Sequence, residues 1–254
     1  KRPYALHNGM IAPLYQLPIK GVLWYQGEGN SRTRESCVQY ENLLKDLVAK
    51  WRANWGDDTM PFLVVQLPGF GKASEKINTS HNWPWIRESQ KNIEDLDNCQ
   101  TVCVIDSGMQ RDIHPPYKEN VGKRLAYAAQ SMVYKQSSVP QSPEYSAHQF
   151  DGESTLITLK NVGNGLSTSD PLIEDMNYND GEVIGFTVIN ANGEYQRATG
   201  EVIAYNQIRV RHPGISRPKS IRYGWENFPN LNLFGSDNMP AFPFRTDQES
   251  PFAN

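Results

Sequence analysis

The chain has 254 residues, 38% of them hydrophobic, which is enough for one large domain or two smaller ones with a real core. Its net charge is only −3 and it has no Lys/Arg cluster or aromatic–basic stripe, so nucleic acid is excluded as an expected partner. No apolar run approaches the roughly 18 to 20 residues that cross a bilayer, so no membrane partner is expected either.

The N-terminus, Lys1-Arg-Pro-Tyr-Ala-Leu-His7, has no signal-peptide hydrophobic region, and a targeting segment is expected to be absent or already removed. Taken in chain order, three short and nearly continuous apolar runs follow: Lys20–Tyr25, Pro61–Leu67 and Thr101–Ile105. They lack the alternation of a half-exposed strand, which predicts parallel strands buried on both faces. Between and after them lie stretches of helical period. Val38, Leu43, Leu44, Leu47, Val48, Trp51 and Trp55 mark the first, residues 85–96 the second, and Val121, Leu125, Ala128, Ala129 and Met132 the third. Strand and helix thus alternate through residue 134, as in a doubly wound α/β sheet.

A Ser/Pro-rich stretch, Gln136–Pro143, reads as a boundary. We expect residues 1–136 to form an α/β domain and residues 144–254 a β-rich, sandwich-like module. In the second part, short strand candidates (155–159, 183–188, 201–204, 207–211 and 220–223) are separated by turn signals such as Asp151-Gly152, Asp180-Gly181 and Asn192-Gly193. Cys37, Cys99 and Cys103 are too few and too poorly spaced for a disulfide framework or a zinc site. They are expected to be plain thiols. His7, His81, His148 and His212 follow no ligand spacing, so no metal is expected.

Ligands of an open α/β sheet bind beyond the carboxyl ends of its strands. The three runs end in Gln26-Gly-Glu-Gly-Asn30, in Gln66-Leu-Pro-Gly69, and in Asp106 leading to Asp112 and His114. An imidazole beside a carboxylate is what a hydrolase uses to activate a hydroxyl: the ring takes the proton and the acid fixes its tautomer. The Gln26 amide or the backbone N–H beside Gly27 suits a developing oxyanion. Several residues have a plainer reading as well. Glu28 equally suits a structural carboxylate holding its loop, Arg87 a helix-surface salt bridge instead of a clamp on a substrate carboxylate, and Asn8 a turn cap. The aromatic residues Tyr223, Trp225, Phe228 and Phe234 suit core packing as well as sugar stacking.

Several of these segments together carry a resemblance: Trp24–Asn30, Asn8–Leu14, Arg87-Glu-Ser-Gln90, Asp112–Arg124 and, near the end, Arg222–Asn227 through Asn232 to Thr246. In this order they resemble the sialate O-acetylesterase family of SGNH hydrolases, over nearly the whole chain. The resemblance implies a serine esterase, without metal or organic cofactor, that removes acetyl groups from sugars. An SGNH-like three-layer parallel sheet and a C-terminal β module are implied with it. Carried onto this sequence, His114 is the general base and Asp112 its orienting acid, with Asp106 or Glu28 as alternative supports and a Ser–His dyad without an acid as the remaining alternative. Gln26 and Gly27 fall in the family's block near the oxyanion hole, and Gly29 stands where family members usually have Ser.

The family's nucleophile lies in a Gly-Gln-Ser or Gly-Asp-Ser motif upstream of the Trp-Tyr-Gln-Gly-Glu block, and neither motif occurs here. Ser31, Ser107 and Ser131 lie near the motifs but not in a strand-to-helix nucleophile turn. The sheet is therefore expected to be incomplete, with an N-terminal segment of the same protein supplying both the missing strands and the serine. The expected substrate is an O-acetylated sugar or glycan, a sialic acid first, with acetylxylan or another polysaccharide as the alternative. A non-catalytic carbohydrate-binding fragment is the reading from another class. The family also implies a location outside the cytoplasm.

Overall fold

A computed structural model describes residues 4–73, 77, 82–169, 179 and 181–249. His81 and Asp180, named above, lie outside the described residues. The first half contains β1 (Val22–Trp24), α1 (Arg34–Trp55), β2 (Phe62–Val65), α2 (Trp83–Lys91), β3 (Cys99–Val102) and α3 (Glu119–Met132). The three strands pair in parallel in the order β1-β2-β3. All four residues of β2 are buried because the sheet is covered on both faces. Phe62 and Val64 point into a core with Cys37, Tyr40 and Leu44 of α1 and Ile86 of α2, whereas Leu63 and Val65 meet Val121 and Ala128 of α3. This is the expected three-layer arrangement.

Boundaries differ in detail. The third strand is 99–102 instead of 101–105, because the chain turns into a short 3₁₀ segment at Ile105–Ser107. The second helix is an α-helix only over 83–91 and tightens into a 3₁₀ turn at Asn92–Asp95. The buried stripe of α1 is Cys37, Tyr40, Leu44 and Val48, while Val38 and Leu43 are exposed. The apolar residues expected on that face are thus shared between core and solvent, and a tyrosine and a cysteine fill the 3–4 spacing. Thr33 starts α1 through a reciprocal bond with Ser36, and Gly56 ends it in the left-handed conformation.

The second half holds β4 (Glu144–Asp151), β5 (Ser154–Lys160), β6 (Ser167–Thr168), β7 (Glu182–Ile189), β8 (Tyr195–Ala204), β9 (Gln207–Arg211), β10 (Ser220–Tyr223), β11 (Leu233–Phe234) and β12 (Phe244–Arg245). Seven of these strands form one antiparallel sheet in the order β12-β10-β7-β8-β9-β5-β4, and β6 pairs with β11. The sandwich expectation is corrected here: a single sheet curls until its ends meet. Tyr145 of β4 stacks on Phe244 of β12 at 5.0 Å between ring centroids, and the Phe242 N–H donates to the Pro143 carbonyl at 2.9 Å. Register shifts in the β4–β5, β7–β8 and β8–β9 pairings supply the extra coiling that this closure needs. Tyr223, Phe228 and Phe234 are buried, so core packing accounts for these aromatics.

The helix α2 lies between the two halves. Seven of its nine residues are buried, including the polar Arg87, Ser89 and Gln90. Trp85 meets Trp225 edge-on at 5.4 Å, and Arg245 of β12 forms a bidentate ion pair with Glu88 at 2.7 and 2.9 Å. A helix buried on nearly all sides must satisfy its polar groups internally.

Candidate active site

The loops that follow the three parallel strands all lie at the carboxyl edge of the sheet. The first, after β1, is the most tightly held. The Gln26 carbonyl accepts from Tyr40 Oη of α1 at 2.7 Å and from Gln90 Nε2 of α2 at 2.9 Å. Gln26 Nε2 donates to Asn30 Oδ1 at 2.9 Å, and the Gly27 N–H donates to a Glu28 carboxylate oxygen at 2.9 Å. Gly27 is buried, and a Cβ there would stand 2.9 Å from Ile86 Cγ2 and 3.0 Å from Gln90 Nε2, so only glycine fits between the loop and α2.

The second loop, after β2, is fixed by the same helix. Gln90 Oε1 accepts from the Leu67 N–H at 2.8 Å. Arg87, 1% exposed, donates to the carbonyls of Leu67, Pro68, Glu226 and Asn227 at 2.6–3.0 Å. Burial lowers the pKa of this guanidinium to about 9, which leaves it cationic at neutral pH. The expectation of a clamp on a substrate carboxylate is corrected by this geometry, and so is that of a surface salt bridge. Arg87 is an internal tie between the two halves, with no face turned to a ligand.

The third loop, after β3, carries Asp112 and His114, both exposed, with the half-buried Ile113 between them packed on the α1–α2 core. Asp112 Oδ1 accepts from the His114 backbone N–H at 2.8 Å, an Asx turn that shapes the loop without holding the imidazole. Neither alternative acid is turned to the ring. Asp106 is paired with Arg124 at 2.5 and 2.7 Å in a largely buried bidentate contact, and the Glu28 carboxylate is on the Gly27 N–H. Loops two and three are joined by a bridge between Phe70 and Met109. Loops one and three approach through Lys118, whose ammonium lies 3.5 Å from Tyr25 Oη and 4.9 Å from the Tyr25 ring centroid. Burial, with the nearby Glu28 charge, pushes the Tyr25 phenol up to about 12, so it stays protonated.

Ser31 donates to the Glu28 carbonyl and Ser107 to Asp106, so each serves its own turn. Asn8 contacts the neighbouring His7 in a helical turn at the N-terminal end. Tyr40 and Gln90 join the site although residue type alone marks neither as a candidate. The signal for them was position: Tyr40 sits on the inward stripe of α1 at the 3–4 spacing, and a polar Gln90 lies on a helix that has almost no exposed face.

An open parallel sheet with amide and imidazole groups gathered past its strand ends defines the open-sheet class of α/β proteins, whose ligand sites lie at that edge. Comparison with known proteins narrows this. Residues 6–131 match the model of the carbohydrate esterase family described as sialic acid-specific acetylesterase, and the chain belongs to that family. It is 29% identical over 156 residues to the sialate O-acetylesterase of Mus musculus and 27% identical over 168 residues to that of Homo sapiens. These alignments cover 54% and 57% of this chain but 28% and 31% of the relatives, so the chain spans less than a third of their length. A crystal structure of a carbohydrate acetylesterase from Xanthomonas citri superposes with a TM-score of 0.84 at 34% identity, over 98% of this chain and 55% of that one.

Proposed function

We propose that the protein hydrolyses O-acetyl esters on carbohydrates as a serine carboxylic ester hydrolase, with sialic acids as the leading substrate class. The observation that carries this reading is the family segment with its exposed His114 on one loop and, on another, a backbone N–H already turned to a carboxylate oxygen. In this reading a serine Oγ attacks the acetyl carbonyl while His114 takes its proton. Asp112 stabilises the imidazolium, and Gln26 and Gly27 donate to the oxyanion, with Glu28 yielding its place. The sugar hydroxyl leaves with the proton from His114, and water then releases acetate from the acetyl-enzyme with the same base. Residues 1–136 carry the chemistry and residues 144–254 brace it.

The serine comes from a further part of the polypeptide that adds to the open side of β1. Two features support this. Leu23 of β1 is 63% exposed beside an apolar groove of about 150 Å³ lined by Pro61, Leu63, Ala129 and Tyr134. The matched Xanthomonas structure is also nearly twice as long as the region aligned to it. An exposed strand edge with an apolar face invites a partner strand.

The test is acetate release from an O-acetylated sialic acid and from acetylated xylan, by this chain alone and by the polypeptide extended upstream. Sialate-selective release by the extended form only is the expected result. Release from xylan alone changes the substrate class, and glycan binding without any release by either form overturns the hydrolase.

A further inference from the structure

The peptide unit between Gln26 and Gly27 is tied to the α1–α2 core through its carbonyl. Its carbonyl is turned inward, where it accepts two hydrogen bonds, from Tyr40 Oη at 2.7 Å and from Gln90 Nε2 at 2.9 Å. The described residues contain no cis peptide, so in this planar trans unit the Gly27 N–H points away from the carbonyl, out of the α1–α2 core. An anionic oxygen of Glu28 is already on that N–H at 2.9 Å.

Gln90 is 0% exposed and spends its whole amide on this edge of the sheet. Its Oε1 holds the Leu67 N–H after β2 and its Nε2 holds the Gln26 carbonyl after β1, while its own backbone carbonyl accepts from Thr101 Oγ1 of β3 at 2.7 Å. One residue therefore ties the ends of all three strands. Burial raises the Tyr40 pKa, which keeps that hydroxyl a donor beside it.

We propose that Gln90, assisted by Tyr40, is a positioning residue for ester hydrolysis, aiming the Gly27 N–H at the oxyanion that replaces the Glu28 carboxylate in the transition state. This rests on the esterase reading above. The effect is on the transition state because the donor is set in place before charge develops, and a donor free to swing must first be ordered. Gln90 touches no substrate, so its contribution belongs to kcat and not to KM.

The test uses the upstream-extended enzyme with two substitutions, Gln90→Met, which keeps the volume and loses both polar ends, and Gln90→Glu. For Gln90→Met, kcat for acetate release is expected to fall about 10- to 100-fold with KM within about twofold. Phosphonylation by an organophosphonate ester, in which the serine Oγ displaces the leaving group through a pentacoordinate transition state whose phosphoryl oxygen takes the oxyanion position, should slow by the same factor, with the total amount labelled unchanged.

The Glu variant supplies a readout that a packing role would not move. When protonated it donates to the Gln26 carbonyl, and when ionised it repels it. Its activity relative to wild type should therefore fall as pH rises from about 6 to 9, since burial raises a carboxyl pKa. This arm decides the matter if the Met variant does not fold. A folded Met variant with kcat within about threefold of wild type, or a Glu-to-wild-type ratio flat across that range, overturns the inference. Wild-type enzyme that releases no acetate overturns the esterase reading instead.

Discussion

The loop after β1 and the loop after β3 are built in opposite ways. Around Gln26 and Gly27 the backbone is buried, its carbonyl has two donors, and glycine alone fits against α2. Around Asp112 and His114 the side chains are exposed and one Asx turn shapes the chain, with Ile113 as the single apolar anchor between them. In the proposed mechanism, the donor that must stand still while charge develops is thus embedded in the core, and the base that must exchange protons with nucleophile and water is left at the surface. The difference also says where this chain is self-sufficient: the amide loop takes its geometry from α1 and α2, whereas the imidazole loop has its ring open to whatever packs against it.

The largest expected effect breaks the exposed side. His114→Ala in the upstream-extended enzyme should lower kcat about 10³-fold, within the range for a lost general base, while thermal stability stays within about 0.5 kcal/mol because the side chain is exposed. Acetate release and a melting curve on one sample check both. A smaller effect separates the two tasks of Asp112. In Asp112→Asn the amide oxygen still accepts from the His114 backbone N–H, so the turn persists, but the negative charge beside the imidazolium is gone. We expect kcat to fall about 10²-fold with an unchanged melting temperature. A loss below about threefold would restrict Asp112 to shaping the turn.

These two sides were not equally legible in the sequence. Two-faced burial of β2 was readable because Phe62–Val65 is an unbroken apolar run. His114 and Asp112 were readable as residue types at a strand end. Their mutual geometry was not, because a carboxylate two residues before a histidine reaches the backbone N–H as easily as the ring, and only coordinates choose between them. Arg87 is hard to place because helical spacing says nothing about a loop 139 residues later, after β10, whose Glu226 carbonyl takes its guanidinium. The same long-range packing buries Gln90. The curl of the second sheet was hidden for a related reason: strands can be counted from turn signals, but closure depends on register shifts and on Tyr145 meeting Phe244.

The embedded side has its own point of failure, the clasp that seats α2. Asp247 lies among Arg222, Arg245 and Ser220, and Arg245 in turn holds Glu88 of α2. Burial alone would raise the Asp247 pKa, but the hydrogen bonds from Arg222 and Ser220 and the Arg222 charge hold it far below the usual carboxylate range. Glu249 is also lowered, first by its hydrogen bond from Lys219. A depressed carboxylate contributes stability that is complete above its unfolded pKa of about 4 and is lost as pH falls through the folded value. The denaturant midpoint should therefore drop below about pH 4, and the gap between wild type and Asp247→Asn should close over the same range. Hydrogen exchange sharpens the comparison: protection of the Leu67 amide should weaken with the clasp, while amides at 110–114 exchange quickly throughout. Equal protection at both loops would mean that α2 does not distinguish them.

The smallest expected effect tests how far the tight packing extends. Gly27 and Gly29 are two residues apart in one loop, yet a Cβ at Gly27 meets three neighbours within 3.3 Å and a Cβ at Gly29 meets nothing within 4 Å. The wall formed by Ile86, Leu67 and Gln90 stops at Gly27, and the chain then turns outward into the 3₁₀ segment Glu28–Ser31. Gly29→Ser should consequently fold as wild type, with stability within about 0.5 kcal/mol and kcat within about twofold. Gly27→Ala should be poorly tolerated because the loop must lift away from α2, drawing the Gln26 carbonyl off Tyr40 and Gln90. Thermal melts and acetate release on the pair measure the contrast directly. If Gly29→Ser were as damaging as Gly27→Ala, rigidity would have to run through the whole loop, and α2 alone could not be its source.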